Sequence, residues 1–214
     1  LRTAVLVSGS GTNLQALIDA SHQPDCPYIV VLVIANEPGA GGLARAEAAG
    51  IATATIPHRG FATRAAFDAT LDSTLRAADV DLVCLAGFMR ILSEGFVRHY
   101  EGRLINIHPS LLPSFPGLHT HQRALEEGVR IHGCTVHFVT PTLDHGPVII
   151  QAAVPVLDGD DEASLSARVL RQEHIVYPRA VRWFVEGKLR LENGCVRLTA
   201  DLAEPPVLIS PEIR

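Results

Sequence analysis

Residues 3–20 read TAVLVSGSGTNLQALIDA: a short apolar run, a turn of small residues, and a stretch that continues as helix. The same order recurs through the N-terminal half. Strands are predicted at residues 4–7, 29–34, 54–56 and 82–85, with helices near 13–20, 42–49 and 63–78 between them. Short apolar runs alternating with longer helical stretches are the pattern of βαβ units and a parallel sheet. The run VVLVI at 30–34 has no polar alternation, as expected of a strand covered on both faces. Right-handed crossovers place helices on both sides. The expected fold is α/β: a single open, mostly parallel twisted sheet with helices on both faces.

Beyond Gly87 the texture changes. A helix is predicted near 93–99 and a strand at 104–108, followed by LLPSFPGLHTHQ (111–122), whose Pro and Gly residues read as a surface loop. Two further strands, 135–139 and 148–154, flank the turn TPTLDHGP, and a long helix follows over 161–185. Asp160, Asp161 and Glu162 put acid at its N-terminus, where the helix dipole favours it. KLRLENGCVRL (188–198) reads as a hairpin turning at Asn193-Gly194. No repeat or interdomain linker interrupts residues 1–200, which are read as one domain with an extended tail at 201–214.

Of the 214 residues, 47% are hydrophobic and 19% charged, enough to bury a sizeable core. A net charge of -5 argues against affinity built on nucleic-acid phosphates or acidic lipid. The longest apolar run, 29–35, is far short of the roughly 20 residues that span a bilayer, and no basic-then-apolar leader opens the chain. A soluble, cytoplasmic protein is expected. Cys26, Cys84, Cys134 and Cys195 form no C-x-x-C pair and read as reduced, mostly buried thiols. Ten histidines against one Trp and one Met direct attention to imidazole chemistry.

Ser8-Gly9-Ser10-Gly11-Thr12-Asn13 lies between a buried strand and a helix start, where backbone N–H groups close on a phosphate. It lacks the third glycine of the dinucleotide fingerprint and the Lys of a P-loop, so a mononucleotide-like or sugar-phosphate ligand fits better. The alternative is a tight turn with Thr12 or Asn13 capping the helix. In LINIHPS (104–110), Asn106 and His108 share one face of a strand that Pro109 ends. Ligands bind at the carboxyl ends of strands in open α/β sheets, so an amide donor and an imidazole there suit carbonyl chemistry. Asp144, in the turn between the later strands, is a candidate carboxylate partner; such a neighbour favours the imidazolium. The alternative is an Asx-turn. His119, His121, His132 and His137 crowd the same region without a metal-ligand spacing, so no metal is expected. Met89-Arg90-Ile91-Leu92 either lines an apolar slot or caps the sheet.

Taken together, SGSGTN, AGFMRIL (86–92), NIHPSLLPSFPGLHTH (106–121), HGCTVHFV (132–139), LDHGPVIIQ (143–151) and QEHIVYP (172–178) resemble the phosphoribosylglycinamide formyltransferases, folate-dependent enzymes of de novo purine synthesis. The resemblance implies a Rossmann-like, nucleotide-binding half at 1–100 and a catalytic, folate-binding half at 101–200. It further implies that Gly11, Thr12, Asn13 and Glu173 bind phosphoribosylglycinamide. Arg64, Met89, Arg90, Ile91, Leu92, Asn106, Thr140, Leu143 and Asp144 would contact 10-formyltetrahydrofolate, the co-substrate, and Asn106, His108 and Asp144 would carry the catalysis. Partners would be small molecules only, with no nucleic acid or membrane, and the enzyme a monomer or homodimer. His145 and Leu170 depart from the family's common pattern. The 110–131 stretch is expected to act as a lid that excludes water. Rival readings are the methionyl-tRNA and sugar-nucleotide formyltransferases, a formyltetrahydrofolate hydrolase, with water as acceptor, and a non-catalytic nucleotide-binding module.

Overall fold

A computed structural model describes residues 1–199 and 207–211, so most of the predicted tail lies outside the described residues. The chain divides into two compact units, Leu1–Asn106 with Phe138–Thr142, and Ile107–His137 with Leu143–Arg214.

In the first unit β1 (Arg2–Val7), α1 (Thr12–Ser21), β2 (Ile29–Ala35), α2 (Gly41–Ala48), β3 (Ala52–Thr55), α3 (Arg64–Ala77), β4 (Leu82–Leu85) and α4 (Glu94–His99) follow in order, and β5 (Leu104–His108) begins there, its last two residues belonging to the second unit. The strands lie as β3-β2-β1-β4-β5, each pair parallel. Alternate residues face opposite ways along a strand. Ala4, Leu6, Leu32 and Ile34 therefore share the face that packs on Phe67, Leu71 and Leu75 of α3 and on Phe96 and Val97 of α4. The opposite face meets α2, whose Gly42 approaches so closely that a Cβ there would sit 2.9 Å from Val7 Cγ2. Helices thus cover both faces, and Val5 to Val7 are fully buried.

In the second unit, α5 (Thr120–Glu126), β6 (Ile131–Phe138), β7 (Val148–Pro155), α6 (Glu162–Val185), β8 (Leu189–Glu192) and β9 (Cys195–Leu198) follow. β6 and β7 pair antiparallel; at Gly133 a Cβ would lie 1.9 Å from the Ala152 carbonyl oxygen, so only glycine fits. Asp161 caps α6, accepting from Ser164 N while Ser164 Oγ accepts from Asp161 N, a reciprocal capping box. Asp160 instead grips Arg168 with both oxygens, at 2.5 and 2.7 Å. These hydrogen bonds hold its carboxyl well below the usual range. β8 and β9 turn through Asn193 and Gly194, both at positive φ, as a two-residue hairpin requires. Five parallel strands and one antiparallel pair give the α/β, mostly parallel arrangement that the sequence predicts.

Four expectations need correction. β3 begins at Ala52, two residues early, because its register with β2 starts at Leu32, and Ile56 turns into the core after its N–H bonds Ala35 O. β6 begins at Ile131, because pairing with β7 continues through His132 and Gly133. The stretch 111–122 is not all surface loop: α5 starts at Thr120, and Leu112 is buried. Cys84 and Cys134 are buried, but Cys195 is exposed.

Candidate active site

In the first unit the turn after β1 places Gly11 at the N-cap of α1 with φ 73°, and no side chain caps the helix. Neither Thr12 nor Asn13 is the cap. A helix N-terminus with no side-chain cap has the polarity that binds anions. Glycine is required at 11 twice over, by its left-handed φ and because a Cβ would lie 2.5 Å from Gly42 Cα. A cavity of about 280 Å³ is lined by Ser8 to Asn13, Ala86, Gly87 and Met89. Arg45 Nε donates to Ser10 O at 2.8 Å, bringing a guanidinium to the loop that sequence patterning did not single out. Ser8 Oγ accepts from Met89 N at 2.7 Å and donates to Asn36 Oδ1 at 2.5 Å, tying the turns after β1, β2 and β4 together.

The four residues 89–92 divide. Met89 and Ile91 are exposed, whereas Leu92 joins the core beneath α4. Arg90 lies 5.4 Å over the Phe67 ring, with its Nε buried and without a protein partner. Arg64 opens α3, where it is exposed, and Thr140 Oγ1 donates to Thr142 O.

β5 ends at His108, two residues past Asn106 on the same strand face. In the second unit, His108 and Asp144 form a buried pair. Their side chains are 7% and 8% exposed, with Nδ1 3.6 Å from Oδ2. The other ring nitrogen, Nε2, lies 3.0 Å from Phe115 O. A carbonyl only accepts, so Nε2 carries the proton of that bond. Nδ1 then faces the Asp144 carboxylate oxygen across 3.6 Å. Asp144 is in the left-handed region (φ 49°), and its Oδ2 accepts from Gly117 N at 2.8 Å. The Pro/Gly stretch therefore supplies Phe115 O to the imidazole and Gly117 N–H to the carboxylate. Neither backbone group carries a sequence signal.

The other histidines sort differently. His132 Nε2 meets His121 Nδ1 at 3.3 Å. Burial lowers His132 to about 4, assisted by the charges of His121 and His108, and lowers His121 for the same primary reason. His119 caps α5 in a left-handed conformation, and His137 is buried on β6. Among the described residues, no group of three or more His, Cys, Asp or Glu has the arrangement of a metal site. Glu173 is buried on α6, and its charge adds to the burial that pushes the Cys134 thiol up to about 12. Leu143 is exposed beside Asp144.

Residues 1–181 match the family described as formyl transferase. Over 205 residues the chain is 50% identical to phosphoribosylglycinamide formyltransferase of Escherichia coli (strain K12), covering 96% of this chain and 97% of that one. It is 55% identical over 188 residues to the trifunctional purine biosynthetic protein adenosine-3 of Drosophila melanogaster, a match that takes in 87% of this chain but 14% of that relative. Among solved structures, glycinamide ribonucleotide transformylase 1 from Symbiobacterium toebii is similar with a TM-score of 0.91 and 48% identity, over 94% of each chain. No helix among the described residues is long and apolar enough to cross a membrane.

Proposed function

The chain belongs to the formyl transferase family, and from that premise we propose that it transfers the formyl group of 10-formyltetrahydrofolate to the amine of 5-phosphoribosylglycinamide. The products are formylglycinamide ribonucleotide and tetrahydrofolate, a step of purine synthesis. The observation that carries the reading is the buried His108–Asp144 pair, with Nε2 anchored on Phe115 O and Nδ1 left 3.6 Å from the carboxylate. That gap is too long for a good direct hydrogen bond. The Nδ1–H is therefore available to an oxygen that develops negative charge beside it.

In this mechanism the glycinamide nitrogen attacks the formyl carbon, and the carbonyl π electrons move to oxygen, giving a tetrahedral oxyanion. Nδ1–H of His108 and the amide N–H of Asn106 donate to that oxygen. Asp144 balances the imidazolium charge throughout. The C–N10 bond then breaks, and the proton lost by the attacking amine passes to N10. Preorganised donors of this kind stabilise the developing charge without reorganising during the reaction. Gly11, Thr12 and Asn13 take the phosphate on the uncapped end of α1, with Glu173 also at the nucleotide. Arg64, Met89, Arg90, Ile91, Leu92, Thr140 and Leu143 serve the folate, with Asn106 and Asp144 at its reactive end. For Leu92 the contact is through the backbone, since its side chain belongs to the core. The reading carries with it a cytoplasmic enzyme, monomeric or homodimeric, that needs no metal.

A spectrophotometric assay with 10-formyltetrahydrofolate, with and without the nucleotide, tests it. Turnover only with nucleotide is expected. Turnover on water alone would make the protein a hydrolase, and none in either case would leave a binding module.

A further inference from the structure

The segment that follows His108 belongs to no helix or strand from Pro109 to Leu118, yet side chains hold its carbonyl groups. Thr120 Oγ1 donates to Pro109 O at 2.7 Å, and Thr135 Oγ1 to Ser110 O at 2.7 Å. Gln151, directly opposite Thr135 in the β6–β7 register, donates from Nε2 to Leu112 O at 2.9 Å and to Thr135 Oγ1 at 3.0 Å. The Leu112 N–H in turn donates to Thr135 Oγ1 at 3.0 Å. At the other end, Arg123 Nη1 donates to Pro116 O at 2.6 Å and to Leu118 O at 3.3 Å, and its guanidinium lies 5.5 Å over the Phe115 ring. The segment is thus a strap with two feet, one on the Thr135–Gln151 pair and one on Arg123. Between the feet lie Phe115 O, which anchors His108, and Gly117 N, which anchors Asp144.

We infer that Gln151 and Arg123 are positioning residues, setting the His108–Asp144 geometry through the backbone of the strap. The inference rests on the catalytic reading of that pair given above. A backbone carbonyl has no side-chain rotamer to correct it, so Phe115 O is only as well placed as the feet that hold its segment. Misplacement of a catalytic group by about 1 Å costs on the order of a hundredfold in rate. Neither side chain contacts His108 or Asp144 in the hydrogen bonds and ion pairs that hold them, and Gln151 and Arg123, unlike Thr135, are not among the buried residues, so substituting either removes donors without opening the core.

Gln151→Met and Arg123→Met, assayed on the full chain, are each expected to lower kcat about 10- to 100-fold, with KM for both substrates within about threefold and the thermal transition within a few degrees of the parent. In an Asp144→Asn background either substitution should cost less than about threefold more, because residues acting through one another are not additive. Retention of kcat within about twofold by both variants overturns the proposal. So does a rise in KM at unchanged kcat, which would make them binding residues, or a full additive loss with a lowered transition, which would make them merely structural. Asp144→Asn alone separates the role of the His108–Asp144 pair from that of the strap. Near-normal kcat there defeats the catalytic reading itself; a collapse there with both Met variants intact defeats only the strap.

Discussion

Asp144→Asn isolates the charge of the pair from its shape. Asn is at home in the left-handed region that Asp144 occupies at φ 49°, and its amide oxygen can still accept from Gly117 N, so backbone and loop are retained. What disappears is one negative charge 3.6 Å from His108 Nδ1, in a pair whose side chains are 7% and 8% exposed. At an effective dielectric constant of about 20, two unit charges at that distance attract by roughly 4–5 kcal/mol, an upper limit before solvent reorganisation. Loss of a preorganised oxyanion donor costs about 3–4 kcal/mol in comparable sites, the same scale. The expected result is a fall in kcat of about 10²- to 10³-fold, with KM for both substrates within about threefold and an unchanged circular dichroism spectrum. Steady-state kinetics at saturating donor and nucleotide read it directly. A kcat within tenfold of the parent refutes the claim that the Asp144 charge sustains the imidazolium donor.

Three further outcomes follow from the same geometry. Gly11→Ala forces a Cβ to within 2.5 Å of Gly42 Cα at a left-handed φ, so KM for the nucleotide should rise at least tenfold while binding of the folate donor alone, read by fluorescence titration, is retained; equal losses for both ligands would contradict the phosphate assignment. Because burial lowers His132 to about 4, an unfolded chain binds its proton first as pH falls from about 6.5, and stability declines between there and about pH 4 by up to roughly 3 kcal/mol. Urea unfolding of His132→Gln should show a shallower slope over that window, and an unaltered slope would assign the acid sensitivity elsewhere. Asp160→Asn breaks a two-pronged pair whose Asp160 side chain is 4% exposed. It should cost about 3 kcal/mol, read as a thermal transition lower by roughly 6–12 °C, with kcat unchanged.

The parallel half was legible because its strands are apolar without alternation and its helices long, so burial on two faces leaves a plain mark in the sequence. Asn106-x-His108 was legible for a related reason: a polar pair on one face of a buried strand has no packing explanation. α5 was hidden because His119 and Thr120 sit just past Pro116 and Gly117, which read as breakers, whereas the left-handed His119 turns the chain straight into a helix. β6 was cut short by Gly133, which signals a break along the chain but in space answers the close approach of Ala152 O. The strap could not be read at all. Its partners are main-chain carbonyls, which every residue possesses, and the pairing of Thr135 with Gln151 exists only once β6 and β7 are in register.

The central claim is direct passage of the formyl group between the two substrates at His108 and Asp144. A single-turnover reaction with donor labelled with carbon-13 in the formyl group, run in oxygen-18 water and resolved by mass spectrometry, tests it most directly. Direct transfer puts the carbon label on the glycinamide nitrogen of the nucleotide, with no oxygen-18 in that formyl group. Release of the label as formate, or oxygen-18 in the nucleotide product, contradicts it.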